Sequence, residues 1–213
     1  MFDSLFDTFL RLDGPVFAWV EANLHPGGGG FLDAFFKAVT HLGDGGVFWI
    51  VLAVALLLFK RTRKAGIVMA AALILDSILV NAVLKNIFER PRPYDFLWDG
   101  TGFTYVYHEM IKKPSEFSFP SGHTGVSFAG SLGMLLGAYA AKLDKRMKIL
   151  AWCTLTLAAL IGFSRVYLGV HYATDILGGV LVGLACALLA LLILRAIEPL
   201  VDRLESKSKR KKA

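Results

Sequence analysis

The chain has 213 residues, is 55% hydrophobic and carries a formal net charge of +6; its mean hydropathy is +0.57. That is too apolar for an ordinary soluble domain and fits an integral membrane protein. The basic residues flank apolar runs instead of forming one continuous face, so the charge points to membrane topology and nucleic acid is not an expected partner.

In chain order, residues 1–12 place Phe2, Leu5, Phe6, Phe9 and Leu10 at helical spacing with polar residues between. This predicts a helix lying at the membrane interface, broken at Gly14-Pro15. Asp3 and Asp7 stand where a secretory leader would carry basic residues, so no cleavable leader is expected. Glycines 27–30 form a turn, and residues 31–42 are amphipathic again.

Five apolar runs follow, at 46–59, 66–84, 124–141, 149–163 and 176–194. The first is short for the ~20 residues of a bilayer helix, so it is expected to start nearer His41, with the 43–46 Gly-Asp-Gly-Gly segment as its entrance or a kink. The expected fold is an all-α membrane bundle of five strong transmembrane helices preceded by amphipathic N-terminal helices. Residues 1–45 leave a sixth crossing open. The segments are then 1–45 N-terminal, 46–196 bundle and 197–213 basic tail. The length suits one bundle and no second domain. Cys153 and Cys186 sit in different runs and read as packing residues.

Threading the runs alternately places KRTRK at 60–64, KLDKRMK at 142–148 and the C-terminal KSKRKKA on one side. The positive-inside rule makes that side the cytoplasm and the protein a multi-pass cell-membrane protein with a cytoplasmic C-terminus. The tail reads as a disordered segment near anionic headgroups, or equally as a solvated charge run.

Three polar clusters gather on the opposite, non-cytoplasmic side. In the first, Lys85 ends a run and Arg92 sits between Pro91 and Pro93, which hold it in an extended segment. In the second, Pro120-Ser121-Gly122-His123 opens a helix. Free N–H groups at a helix start attract anions, Gly122 lets one approach closely, and Ser121 can cap. Read alone, this is equally a helix cap. In the third, Ser164-Arg165 ends a run, and His171 and Asp175 are four apart. On a helix the two share a face, so the carboxylate can take one imidazole nitrogen and leave the other basic; a structural His–Asp cap is the other reading.

Taken together, the clusters bring three cations, two histidines, one orienting carboxylate and a helix N-terminus to one side of four helices. Cations around one point suit the distributed charge of a phosphate. Two histidines suit a nucleophile and a general acid. No group with metal-ligand spacing accompanies them, so no metal or cofactor is expected.

Lys85-x6-Arg92-Pro93, Pro120-Ser121-Gly122-His123 and Ser164-Arg165-x5-His171-x3-Asp175 resemble, in order and spacing, the three signature motifs of the type 2 phosphatidic acid phosphatase family over roughly residues 65–195. The resemblance implies that His171 attacks phosphorus, Asp175 orients it, and His123 protonates the leaving oxygen. It implies that Lys85, Arg92 and Arg165 hold the phosphoryl oxygens with Ser121 and the Gly122 N–H, and that Ser164 and Pro120 support the motif. Vanadate-holding soluble haloperoxidases share these motifs, and the apolar runs argue against that branch. The short chain further resembles bacterial undecaprenyl pyrophosphate phosphatases. The implied substrate is a lipid phosphate or pyrophosphate, with phosphatidic acid, phosphatidylglycerol phosphate or transfer to another acceptor as alternatives.

Other residues carry weaker expectations. Asp76, nine before Lys85, falls on the opposite face of an ideal helix and reads as a buried structural hydrogen bond. Asn81 shares the face of Lys85 and reads as a support. Arg90 reads as a substrate or lipid-surface contact. Gly133-x3-Gly137 and Gly179-x3-Gly183 read as packing within the bundle, with homodimerisation the weaker alternative. The aromatics between Tyr94 and Phe119 read as an interfacial belt or a lid. His25 and His41 read as non-catalytic, and nothing places His108 or Glu109 near the chemistry.

Overall fold

The computed structural model describes residues 3–25, 30–95 and 110–212, with backbone alone at 3–5, 7 and 200–212. Within these it is all-helical. The helices are α1 (Asp3–Leu24), α2 (Phe31–His41), α3 (Val47–Leu58), α4 (Arg63–Ser77), α5 (Lys85–Phe88), α6 (Gly122–Ala140), α7 (Lys145–Tyr167) and α8 (Ala173–Lys212). A 3₁₀ turn at Asp44–Gly46 joins α2 to α3, and a π-helical stretch at Ile78–Leu84 joins α4 to α5.

The bundle is organised around α6, which packs against α3, α4, α7 and α8. Its small residues allow this. A Cβ on Gly137 would lie 2.6 Å from the Ala65 Cα, and one on Gly133 would lie 2.8 Å from the Met69 Cα, so both glycines set the α4–α6 distance. Gly179 and Gly183 do the same for α8, where a Cβ would meet the Ser121 and Gly125 carbonyl oxygens at 2.8 and 2.7 Å. Both glycine pairs therefore pack inside the bundle. Trp49 of α3 donates from Nε1 to Ser127 Oγ of α6 at 3.0 Å, which satisfies two buried polar groups at once.

Among the described residues, three segments are long and apolar enough to cross a membrane: Arg63–Asp95, Lys145–Tyr167 and Ala173–Pro199. A fourth counts when α2 and the 44–58 segment, bent by 44°, are taken as one span. The bend lies in the expected place, at residues 43–46, with Gly45 and Gly46 at positive φ. The run in α6 falls outside these segments. Its Gly, Ser and Thr residues lower its hydropathy, and they suit a helix covered by neighbours. The basic flanks meet at the end of the bundle away from the α6 N-terminus, where Arg61 pairs with Asp144 and Lys64 with Glu198, both at 2.7 Å.

Two local expectations are corrected. The first helix does not break at Gly14-Pro15 but runs on to Leu24. Leu10, Asp13, Phe17 and Val20 form one buried stripe, and packing of that stripe against Val166, Tyr167, Val170 and Tyr172 outweighs the backbone hydrogen bond lost at Pro15. At the other end the backbone of α8 stays helical to Lys212, in line with the helix propensity of its Lys, Arg, Glu and Leu residues. The 27–29 glycines, Phe96, Trp98, Phe103, Tyr105, Tyr107, His108 and Glu109 lie outside the described residues.

Gly137→Leu is expected to lower stability by about 2–3 kcal/mol, since the added atoms meet backbone that can yield only by separating α4 from α6. Thermal unfolding in detergent measures it, and an unchanged midpoint contradicts this account of the packing.

Candidate active site

All three sequence clusters come to one end of the bundle. The π stretch, where one residue is added to the hydrogen-bonded ring, delivers Lys85 to the last turn before the chain breaks at Glu89, which has φ 46°. Arg92 follows in irregular backbone. Ser121 caps α6, Arg165 ends α7, and His171 lies in the turn before α8. The clusters are tied together by the backbone: the Ser121 N–H donates to the Asp175 carbonyl at 3.1 Å. A cavity of about 530 Å³ opens among Lys85, Arg92, Gly122, His123, Arg165 and His171.

His171 is 2% exposed. Its Nδ1 lies 3.2 Å from Asp175 Oδ2, and its Nε2 lies 3.1 Å from the Arg92 guanidinium. Arg92 can only donate, so Nε2 accepts and Nδ1 carries the proton toward Asp175. Burial first, then the charges of Arg92, Arg165 and Lys85, hold the imidazole well below its usual 6.5. The ring is therefore neutral at neutral pH, with a lone pair on the cavity side of the dyad.

Each cation is held in place. Arg92 donates from Nε to the Glu116 carbonyl at 2.6 Å and from a terminal nitrogen to the Val170 carbonyl at 2.8 Å. Arg165 donates to Thr40 Oγ1 at 2.7 Å. Lys85 pairs with the carboxylate of Glu116, an exposed group whose pKa this contact lowers. Lys85 Nζ lies against the start of α6, 3.7 Å from where a Gly122 Cβ would be.

The remaining expected residues sit as follows. Ser121 is buried, and its Oγ accepts from the Thr124 N–H and hydroxyl at 3.4 and 3.0 Å, so the hydroxyl serves the cap. Ser164 donates to the Ile161 carbonyl at 2.6 Å, inside its own helix. Pro120 is buried against α8, where a Gly178 Cβ would lie 3.3 Å from its ring. Asn81 lines the cavity and donates to the Ser77 carbonyl at 3.2 Å. His25 is buried and bonds the Tyr167 carbonyl at 3.0 Å, away from the cavity.

Two expectations change. Arg90 is not a surface contact; it is 1% exposed and lies beneath the site. It donates to Asp175 Oδ1 at 2.6 Å, to Thr174 Oγ1 at 2.8 Å and to Asp13 Oδ2 at 2.8 Å, and it stacks 3.8 Å over the Tyr172 ring. Asp76 is not on the far face from Lys85: both line the cavity. The π stretch between them turns less per residue than an α-helix, which removes the half-turn offset. Nor does Asp76 make the expected hydrogen bond among the described residues, where its buried Oδ1 has no partner.

Other contributors escaped the sequence reading. Ser118 donates to Asp175 Oδ2 at 2.5 Å. Asp13, from α1, accepts from the Thr174 N–H and hydroxyl at 2.8 and 2.7 Å. A carboxylate inside the apolar stripe of Leu10, Phe17 and Val20 was the available signal for it. Asp44 lies between two imidazoles, 2.9 Å from His123 and 2.7 Å from His41. Among the described residues, no group of three or more His, Cys, Asp or Glu side chains could hold a metal ion.

This geometry can be set beside known proteins. Residues 63–198 match the PAP2 superfamily. An undecaprenyl-diphosphatase of Sulfolobus acidocaldarius is 35% identical over 135 residues, which is 63% of this chain and 58% of that protein. Phosphatidylglycerophosphatase B of Bacillus subtilis is 35% identical over 158 residues, 72% of this chain and 71% of that one. The crystal structure of the Bacillus subtilis transmembrane PAP2-type phosphatidylglycerolphosphate phosphatase superposes with a TM-score of 0.66 at 28% identity, covering 92% of this chain and 98% of that one. Aquifex aeolicus LpxE superposes at 0.63 and 28% identity, over 84% and 94% of the two chains. With three to four membrane-length helical segments and all three motifs gathered around one cavity, the chain is a multi-pass helical membrane protein and belongs to the PAP2 superfamily.

Proposed function

We propose that the protein is a membrane lipid phosphatase that works through a phosphohistidine on His171. One observation carries this reading. His171 presents a neutral, acceptor Nε2 to a cavity lined by three cations, while its Nδ1 is fixed by a buried carboxylate. In the first step Nε2 attacks phosphorus as the bond to the leaving oxygen breaks. Lys85, Arg92 and Arg165 offset the charge on the phosphoryl oxygens, aided by the N–H groups at the start of α6. His123 gives a proton to the leaving oxygen, then takes one from the water that hydrolyses the phosphoenzyme.

The substrate in this reading is a polyprenyl pyrophosphate, undecaprenyl pyrophosphate, converted to the monophosphate. The Sulfolobus relative, an undecaprenyl-diphosphatase, supports it. Lys112 and Lys113 at the cavity rim offer charge for a second phosphate. The Bacillus relatives, phosphatidylglycerolphosphate phosphatases, support the alternative, a glycerophospholipid monoester. The site faces the non-cytoplasmic side in this reading, because the basic flanks lie at the other end of the bundle.

Phosphate release by the detergent-purified protein, in excess chelator, tests the assignment. Undecaprenyl pyrophosphate is expected to be preferred over phosphatidylglycerol phosphate and phosphatidic acid, with no loss on chelation. His171→Ala is expected to lose activity by roughly a thousandfold or more while keeping its unfolding midpoint. Reversed preference moves the substrate to the glycerophospholipid class; full activity in the variant removes the phosphohistidine.

The buried neutral His171 also sets a pH dependence of stability. Its folded value lies below its unfolded one near 6.5, so below that pH the unfolded chain binds a proton that the folded chain does not. Stability is expected to fall on acidification below about pH 6.5, by up to about 1.4 kcal/mol per pH unit from this group. His171→Gln removes that share. Denaturation in detergent between pH 7 and 5 measures the difference in slope between the two proteins.

A further inference from the structure

Residues 40–46, Thr-His-Leu-Gly-Asp-Gly-Gly, lie outside the family-matched region, yet Gly43, Gly45 and Gly46 line the cavity. Their backbone is specialised for this. Gly45 and Gly46 adopt φ of 57° and 68°, which suit glycine. A Cβ on Gly43 would lie 2.7 Å from His123 Cδ2 and 2.9 Å from the Ile161 side chain, so only glycine lets the imidazole settle against the turn. The turn then places Asp44 Oδ1 at 2.9 Å from His123 Nε2, and Oδ2 at 2.7 Å from His41 Nδ1. The neighbouring Thr40 holds Arg165.

We propose that Asp44 is the positioning carboxylate of His123, with His41 fixing its second oxygen, so that this glycine-rich turn supplies the acid half of the site. The proposal rests on the reading of His123 as general acid given above. The charges that face His123 explain the need. Lys85 comes from α5, Arg165 from α7 and His171 from the turn before α8; Glu116 and Asp44 are the acidic groups. Cations around an imidazole disfavour its protonated form, whereas a carboxylate in contact favours it. Burial first, then the charge of Arg165, hold His123 down to about 4 even with Asp44 in contact, and Asp44 is the group that opposes them, so without it the imidazole would hold the proton it must give still less readily.

The arrangement also fixes which nitrogen acts. Asp44 takes Nε2–H, so the proton on Nδ1 is the one passed to the leaving oxygen as the P–O bond breaks and the bond from His171 Nε2 to phosphorus forms. His123 is then neutral and keeps Nε2–H on Asp44. In the second half Nδ1 takes a proton from the attacking water, the P–N bond breaks and phosphate leaves. Substrate and water become phosphate and the leaving group, which is an alcohol from a monoester or a lipid monophosphate from a pyrophosphate, and both histidines return to their starting states.

The test compares leaving groups. An aryl phosphate such as p-nitrophenyl phosphate leaves without protonation, whereas an alkyl lipid monophosphate such as phosphatidic acid needs it. Both are assayed with the purified full chain carrying Asp44→Asn, Asp44→Glu, His41→Gln or His123→Ala. Asp44→Asn is expected to lower kcat/KM about ten- to a hundredfold on the lipid and less than about threefold on the aryl ester. The basic limb of its pH profile is expected to move to lower pH. Asp44→Glu should recover part of the loss, and His41→Gln should show a smaller change of the same kind. Equal losses on both substrates would make Asp44 a merely structural residue, and no loss would make it a bystander; either overturns the proposal. His123→Ala separates the two levels of the argument. If it discriminates between leaving groups and Asp44→Asn does not, the proposal fails and the general acid stands. If it does not discriminate, the assignment of His123 as acid fails and Asp44 falls with it.

Discussion

The site depends on a carboxylate that is out of reach of water. Asp175 is fully buried and accepts from Arg90, Ser118, the Tyr172 N–H and His171. A buried charge of this kind is tolerated only when its neighbours supply both opposite charge and hydrogen bonds. Arg90 supplies the charge, and it in turn needs a second carboxylate, which Asp13 provides from α1. The His171–Asp175 pair is thus the visible end of a chain of compensations that reaches back to the first helix. That chain explains why α1 docks on the turn before α8, and why Asp13 occupies the middle of an otherwise apolar stripe.

A second constraint is the close approach of α6 to its neighbours. The glycines that permit it are the same ones that bring the α6 N-terminus level with Lys85, Arg165 and His171. A helix start offers unpaired N–H groups only at its end, so the depth at which α6 sits fixes the depth of the proposed phosphate site. Small residues at this helix therefore do two things: they hold the bundle together in lipid and they position the anion site.

The three motifs were legible because each is local. Proline, glycine, histidine and arginine at fixed spacing fix backbone and chemistry within a dozen residues, and the structure gathers all three around one cavity. What escaped was non-local or depended on helix phase. Asp13 and Thr174 are 161 residues apart, and Asp44 and His123 are 79 apart. No spacing rule links such pairs. Arg90 looked like a surface group because its two carboxylate partners come from distant segments. Asp76 was placed on the wrong face because the π stretch was not anticipated; an ideal period of 3.6 residues fails once the turn widens. The helix through Gly14-Pro15 was missed for a related reason, since tertiary packing outweighed a local breaker.

The two histidines also differ in wetness, and the difference matches what each is asked to do in the proposed reaction. His171 and its carboxylate are dry, with side chains 2% and 0% exposed. Low dielectric keeps that imidazole neutral and its Nε2 unprotonated, as a nucleophile requires. His123 and Asp44 sit at the rim, with side chains 23% and 55% exposed, and His41 beyond them is 56% exposed. An acid that must gain and lose a proton in every turnover works best where water can reach it and where a carboxylate offsets nearby cations. One fold builds both environments by the depth at which it attaches each carboxylate: Asp175 on a buried helix start, Asp44 on an exposed glycine turn. In the proposed reaction the two imidazoles are then told apart by the depth and exposure of the carboxylate each one meets.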